Sequence, residues 1–106
     1  MSVEATLSAL AEPTRFGVVS LLREGPRRAG ELALALDCAP PAMTRHLRAL
    51  REAGLVREEP LPGDRRVHVY ALQPAPFVEL STWADEAAAL WTDQLEGFAA
   101  HVRGRS

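Results

Sequence analysis

With 106 residues and 47% apolar content, the chain is sized for one domain (1–106), is too apolar for a disordered segment, and holds no apolar run long enough to span a membrane. Its net charge of −2 conceals an asymmetry: all twelve basic residues are arginines, residues 26–72 carry eight of them against six acids, and residues 77–100 carry five acids and no base. The single cysteine, Cys38, excludes an internal disulfide and a multi-thiolate zinc site within one chain, and the absence of a basic-then-apolar leader points to a cytoplasmic protein.

Val3–Ala11 reads as a short first helix with Val3, Leu7 and Leu10 on one face. Pro13 suits the first position of a second helix running to about Glu24, with Phe16, Val19 and Leu22 facing inward and Gly25-Pro26 as its stop. A third helix, about Gly30–Leu36, presents Leu32, Ala35 and Leu36, and Asp37–Ala39 turns tightly into a fourth over residues 40–53. Ala39 stands where a Ser or Thr cap is usual; Pro40 and Pro41 start the helix without one, because neither has an N–H to leave orphaned and both hold φ near the helical value. Gly54 ends the helix in a left-handed conformation. Leu55–Pro60 and Arg66–Leu72 read as two strands joined by "LPGDR", a hairpin with Arg65 and Arg66 at its tip. After a proline-marked break at Gln73–Pro76, a last helix of about Pro76–Arg103 closes the chain. The expected class is therefore mainly α with a two-stranded β-hairpin (α+β), in the order ααααββα.

The fourth helix has two faces. At 100° per residue Met43, Leu47 and Leu50 fall within about one-sixth of the circle as a core stripe, while Pro41, Thr44, Arg45 and Arg48 cluster opposite, with Glu52 beyond them. Guanidinium groups suit paired contacts with guanine edges and phosphates. A two-faced helix after a short helix and a tight turn has the form of a helix-turn-helix recognition helix, and an arginine-tipped hairpin (61–66) beyond it the form of a wing. His46 lies about 60° from the core stripe, which favours packing or a cap-like hydrogen bond over base contact.

Four stretches, "LSALAEPTRFGVVSLL", "GELALAL", "PPAMTRHLRALREAGLVREE" and "GDRRVHVYAL", resemble the ArsR family of bacterial winged-helix repressors over about residues 5–72. The resemblance implies a homodimeric repressor that binds an inverted-repeat operator in double-stranded DNA and is released by an effector. By position it assigns groove reading to Pro40, Pro41, Thr44 and Arg45; because prolines replace the polar residues usual at 40 and 41, the burden moves to Thr44, Arg45 and Arg48. Arg65 and Arg66 are assigned to the flanking backbone or minor groove.

The last helix repeats Phe77, Leu80, Ala84, Ala87/Ala88, Trp91, Leu95, Phe98 and Val102 at three- and four-residue spacing, with Trp83 and Leu90 as a second apolar strip. Two apolar sides need two partners: the helix's own domain, and the same helix of a second subunit. The expected interface is Val3, Leu7, Leu10, Leu80, Ala84, Ala87, Trp91, Leu95 and Phe98. Trp83 and Trp91 could instead wall a pocket for an organic effector. The family's metal sensors use clustered thiolates on the third helix or Asp/His/Glu sets on the last. Here the third helix has no cysteine pair and the last has Asp93, Glu96 and only one histidine, His101, so no metal or other cofactor is expected, with a site pooled from Asp93 and His101 of two chains as the alternative. Cys38, just before the fourth helix, reads as a small residue filling a turn, with a redox switch as the alternative. His68, on a wing strand, reads as solvated or DNA-facing. No nucleophile beside a base and no glycine-rich phosphate loop is present, so no enzyme is expected. The competing reading is a winged-helix module whose arginine face meets an acidic protein.

Overall fold

A computed structural model of the chain describes residues 2–104, so the two ends of the expected domain, residues 1, 105 and 106, lie outside it. Four helices come first: α1 (Val3–Leu10), α2 (Pro13–Leu22), α3 (Ala29–Ala35) and α4 (Pro40–Glu52). Each of the first three begins on a side-chain oxygen that takes a free backbone N–H. Ser2 Oγ accepts from the Ala5 N–H at 3.1 Å, the Glu12 carboxylate from Arg15 at 2.8 Å, and Glu31 reaches back to the Arg28 N–H at 3.3 Å. α4 has no capping side chain on Ala39 and starts on its two prolines, as the sequence suggests. Gly54 follows with φ 76°, the left-handed value that lets its N–H turn back onto the Arg51 carbonyl at 2.9 Å.

The core sits among α2, α3, α4 and the start of the hairpin. Val18, Leu32, Met43, Leu47, Leu50 and Leu55 are all but inaccessible, and Val19, Leu22 and Val56 close the cluster. The Met43–Leu47–Leu50 stripe is buried as read. Two inward assignments fail. Phe16 is 59% exposed, because α2 turns Val18 and Val19 inward and swings Phe16 to the far side; on α3 it is Ala33 that joins Leu32 in the core, leaving Ala35 exposed. On α1 the buried residues are Thr6 and Ala9, with Val3 and Leu10 half-buried and Leu7 exposed. The Thr6 hydroxyl pays its desolvation by donating to the Ser2 carbonyl at 3.3 Å.

Strands β1 (Val56–Leu61) and β2 (Asp64–Leu72) pair antiparallel around Pro62-Gly63, and Gly63 takes φ 92°, as the third residue of a Pro-Gly turn requires. The register is broken beside the turn: Leu61 faces Asp64, yet Pro60 faces His68, so residues 65–67 bulge out with no cross-strand partner. Arg65 and Arg66 thus belong to a bulged strand and not to the turn itself. A second strand-like contact had no sequence signal. Arg27, in the loop before α3, exchanges both backbone hydrogen bonds with Tyr70 (3.1 and 2.7 Å) and fastens that loop to β2.

The last helix, α5 (Pro74–Arg103), starts two residues earlier than expected, with Pro74 in its first turn. Its 30 residues span about 45 Å. Only its opening turns meet the body: Pro76 is buried, Phe77 and Leu80 are half-buried, and every residue from 81 to 104 is exposed. The expectation that one side of this helix packs along its own domain therefore holds for residues 76–80 alone. The rest projects as a rod, which gives the protein its 71 × 26 × 22 Å extents. Among the described residues no helix is long and apolar enough to cross a membrane.

Candidate nucleic-acid interface

Burial of Met43, Leu47 and Leu50 fixes the rotation of α4 and so presents its other face to solvent. Pro40, Pro41, Thr44, Arg45 and Arg48 are all exposed there. Thr44 Oγ1 donates to the Pro40 carbonyl at 3.1 Å. That bond leaves the hydroxyl its acceptor lone pairs and braces a first turn in which the prolines supply no N–H.

The guanidinium groups sort into two kinds. Several are tied into the fold: Arg15 Nε donates to the Ala9 carbonyl at 2.7 Å, Arg27 pairs with Glu24 at 3.1 Å, and Arg51 pairs with Glu58 at 3.0 Å. Arg57 pairs with Glu59 at 3.0 Å and donates to the Leu72 carbonyl at 2.8 Å. In contrast, the side chains of Arg45, Arg48 and Arg65 have no hydrogen-bond or ion-pair partner among the described residues. Arg66, whose side chain is 93% exposed, touches only Asp64 at 3.4 Å, a weak contact at that distance and exposure. The four arginines singled out from the sequence are thus among those left with free or nearly free donors, two on α4 and two in the bulge of the wing; Arg23, at the end of α2, is also unpaired among the described residues.

Glu58 was not anticipated, and it joins the two parts. One carboxylate oxygen accepts from Arg51 of α4 at 3.0 Å and lies 3.4 Å from the Tyr70 hydroxyl; the other lies 3.1 Å from His68 Nδ1. The end of α4 and both wing strands therefore meet on one side chain. Burial, then the negative charge of Glu58, raises the Tyr70 hydroxyl above its usual range, with Arg51 opposing, so the phenol stays protonated and donates. His68 is accordingly held by Glu58, although about half its side chain remains exposed.

His46 lies 3.6 Å from Glu12, the carboxylate that caps α2, and is half-buried, in line with a packing role. Partial burial resists ionisation of Glu12, but the backbone N–H groups of Arg15 and Thr14 and the positive charges of His46 and Arg15 outweigh it and hold the carboxyl below its ordinary value. Cys38 is half-buried against the core, its thiol 3.6 Å from the Ala39 carbonyl. Trp83 and Trp91 are 50% and 62% exposed, and neither lines the apolar groove at the opening turns of α5. Asp93, Glu96 and His101 lie on the projecting rod, and among the described residues no three His, Cys, Asp or Glu side chains gather as a metal site would need.

A helix-turn-helix domain family matches residues 10–59. The HTH-type transcriptional regulator Rv2034 of Mycobacterium tuberculosis is 40% identical over 98 residues, covering 92% of this chain and 86% of its own length. The arsenical resistance operon repressor of Escherichia coli K12 is 38% identical over 99 residues, covering 89% of this chain and 76% of its own. The crystal structure of an ArsR family transcriptional regulator superposes with a TM-score of 0.72 at 32% identity, over 84% of this chain and 94% of that one.

Proposed function

The chain belongs to the ArsR family of helix-turn-helix transcriptional regulators and is a DNA-binding regulator of transcription, and from that premise we propose that it represses as a homodimer bound to an inverted-repeat operator. In this reading Thr44, Arg45 and Arg48 enter the major groove, Pro40 and Pro41 lie against its edge, and Arg65 and Arg66 meet the flanking backbone or minor groove. The observation that carries it is the split among the arginines: Arg45, Arg48 and Arg65 have no partner among the described residues, while Arg51 and Arg57 beside them are neutralised by Glu58 and Glu59. Unpaired guanidinium groups in water, on α4 and in the wing, are a positive field awaiting phosphates. The second support is the apolar stripe of α5, which is exposed from Ala84 onward. A twofold dimer through α1 and α5 would set two copies of α4 about 34 Å apart, one turn of DNA.

The test is a salt titration of a fragment selected from random DNA, run beside sedimentation of the free protein. The expected result is a dimer at micromolar concentration whose log K falls linearly with log salt, with a slope near −0.9 per phosphate neutralised. A monomer in sedimentation would remove the dimer. Affinity indifferent to salt would remove DNA as the partner and favour an acidic protein on the arginine face.

A further inference from the structure

We infer that a groove between α2, the end of β2 and the opening turns of α5 binds a small organic carboxylate with an apolar body. The groove has a volume of about 570 Å³, within the range of small-molecule sites. Its floor is Val19, Leu72, Phe77 and Val78, and Arg23 and Ser81 stand among its walls. Val78 is 62% exposed, so the junction of the rod with the body keeps apolar surface in water that the core does not use.

The charge decides the ligand class. The Arg23 side chain has no hydrogen-bond or ion-pair partner among the described residues; the nearest acid in sequence, Glu24, is already paired with Arg27 at 3.1 Å. On α5, Glu79 points about 160° around the helix from Ser81, away from the groove. A lone guanidinium beside an apolar floor matches one planar carboxylate, which it can hold by two parallel hydrogen bonds. A polyphosphate would need more donors than Arg23 and the Ser81 hydroxyl supply. A second copy of the chain is the less favoured occupant. The stripe proposed for dimerisation (Leu80, Ala84, Ala87, Trp91) is centred about 100° around α5 from the face formed by Phe77, Val78 and Ser81, so a partner centred on the stripe leaves the Val78 and Ser81 side of the groove open.

The position gives the ligand leverage, and this part rests on the operator-binding reading above. Leu72 ends the strand that carries the wing, Val19 belongs to the core, and Phe77 and Val78 begin the rod. A molecule wedged among them favours one angle between rod and body, and that angle sets the spacing of the two recognition helices. Its differential affinity for the two angles is what would shift operator binding.

The experiment titrates the full chain calorimetrically with octanoate and with octan-1-ol, then repeats both with Arg23→Gln and Ser81→Trp. Expected are one octanoate per chain, octan-1-ol weaker by roughly tenfold or more, loss of that preference in Arg23→Gln, and loss of both in Ser81→Trp, whose circular dichroism and dimer mass stay unchanged. Octanoate should weaken operator binding of the parent by roughly tenfold and leave Arg23→Gln unaffected. The inference is overturned by no octanoate binding up to about 5 mM, by equal affinity for the alcohol, or by binding that survives Ser81→Trp. It is also overturned if Ser81→Trp dissociates the dimer while neither probe binds the parent, since a second copy then fills the groove. Absence of operator binding by the ligand-free protein would instead count against the operator reading, and the calorimetry would still decide the groove.

Discussion

Replacing Trp91 and Leu95 together with glutamate is expected to give a folded monomer whose operator affinity is lower by about a hundredfold or more. Both side chains stand on the exposed stripe of α5, at 62% and 51% exposure, one helical turn apart. An aromatic side chain covers about 150–250 Å². With Trp91 62% and Phe98 67% exposed, the four such side chains of a dimer would bury surface worth on the order of 10 kcal/mol at ~25 cal/mol per Å². That is comparable to the entropic cost of bringing two chains together, and the aliphatic residues of the stripe add the surplus. Glutamates there would be buried without cations, at several kcal/mol per ion, so association fails. The body should survive because Trp91 and Leu95 lie on the part of α5, residues 81–104, whose side chains are all exposed in the monomer and contribute nothing to the buried core. The affinity loss follows from having one recognition helix where two acted on one duplex. Sedimentation, circular dichroism and operator binding check the three parts, and a double variant still dimeric at micromolar concentration would show that another surface holds the copies together.

Arg45→Ala and Arg66→Ala are expected to weaken binding in different ways. Arg45 sits on the solvated face of a helix whose rotation three buried side chains fix, so in the proposed complex its donors would enter the major groove with little freedom. Its loss should cost about 1–3 kcal/mol and relax preference at one base position. Arg66 is 93% exposed in the bulge and restrained only by Asp64, which suits a phosphate and not a base edge. Its loss should weaken all sequences alike and reduce the salt slope by about 1 per arginine removed. Neither change touches the core, so thermal unfolding should stay put. Binding-site selection on the two variants reads the difference, and matching specificity profiles would show that the two arginines do the same work.

The helical half of this architecture was legible because its signals are local. Proline and glycine mark the ends of α4, and a stripe of Met43, Leu47 and Leu50 at helical spacing can face only a core. The order ααααββα, the family and the exposed arginine face follow from such signals. Phe16 shows the limit. Large apolar residues at three-residue spacing predict an inward face, but α2 is apolar over much of its circumference and its neighbours chose the Val18–Val19 side. The Glu58 junction was hidden for a different reason. Counting outward from the Leu61–Asp64 pair sets Glu58 opposite Val67, whereas the bulge sets it opposite Tyr70. A hairpin's register is a property of how its turn and bulge share the twist, and a Pro-Gly dipeptide announces the turn without the bulge. The Arg27–Tyr70 bridge joins segments more than forty residues apart and carries no pattern at all.

The same bulge has a consequence for how the protein is cut. Residues 65–67 have no ladder partners, and Arg65 and Arg66 are both exposed there, so trypsin meets two consecutive arginines on backbone that needs little unpairing to enter a protease cleft. Arg45 and Arg48 are just as exposed, but a helix packed by Leu47 and Leu50 must open before it can be cleaved. Brief digestion should therefore nick the wing ahead of α4, and bound operator should slow that nick. The rate of one cleavage then reports occupancy of the wing, without label or mutation, while α4 stays intact as its own control.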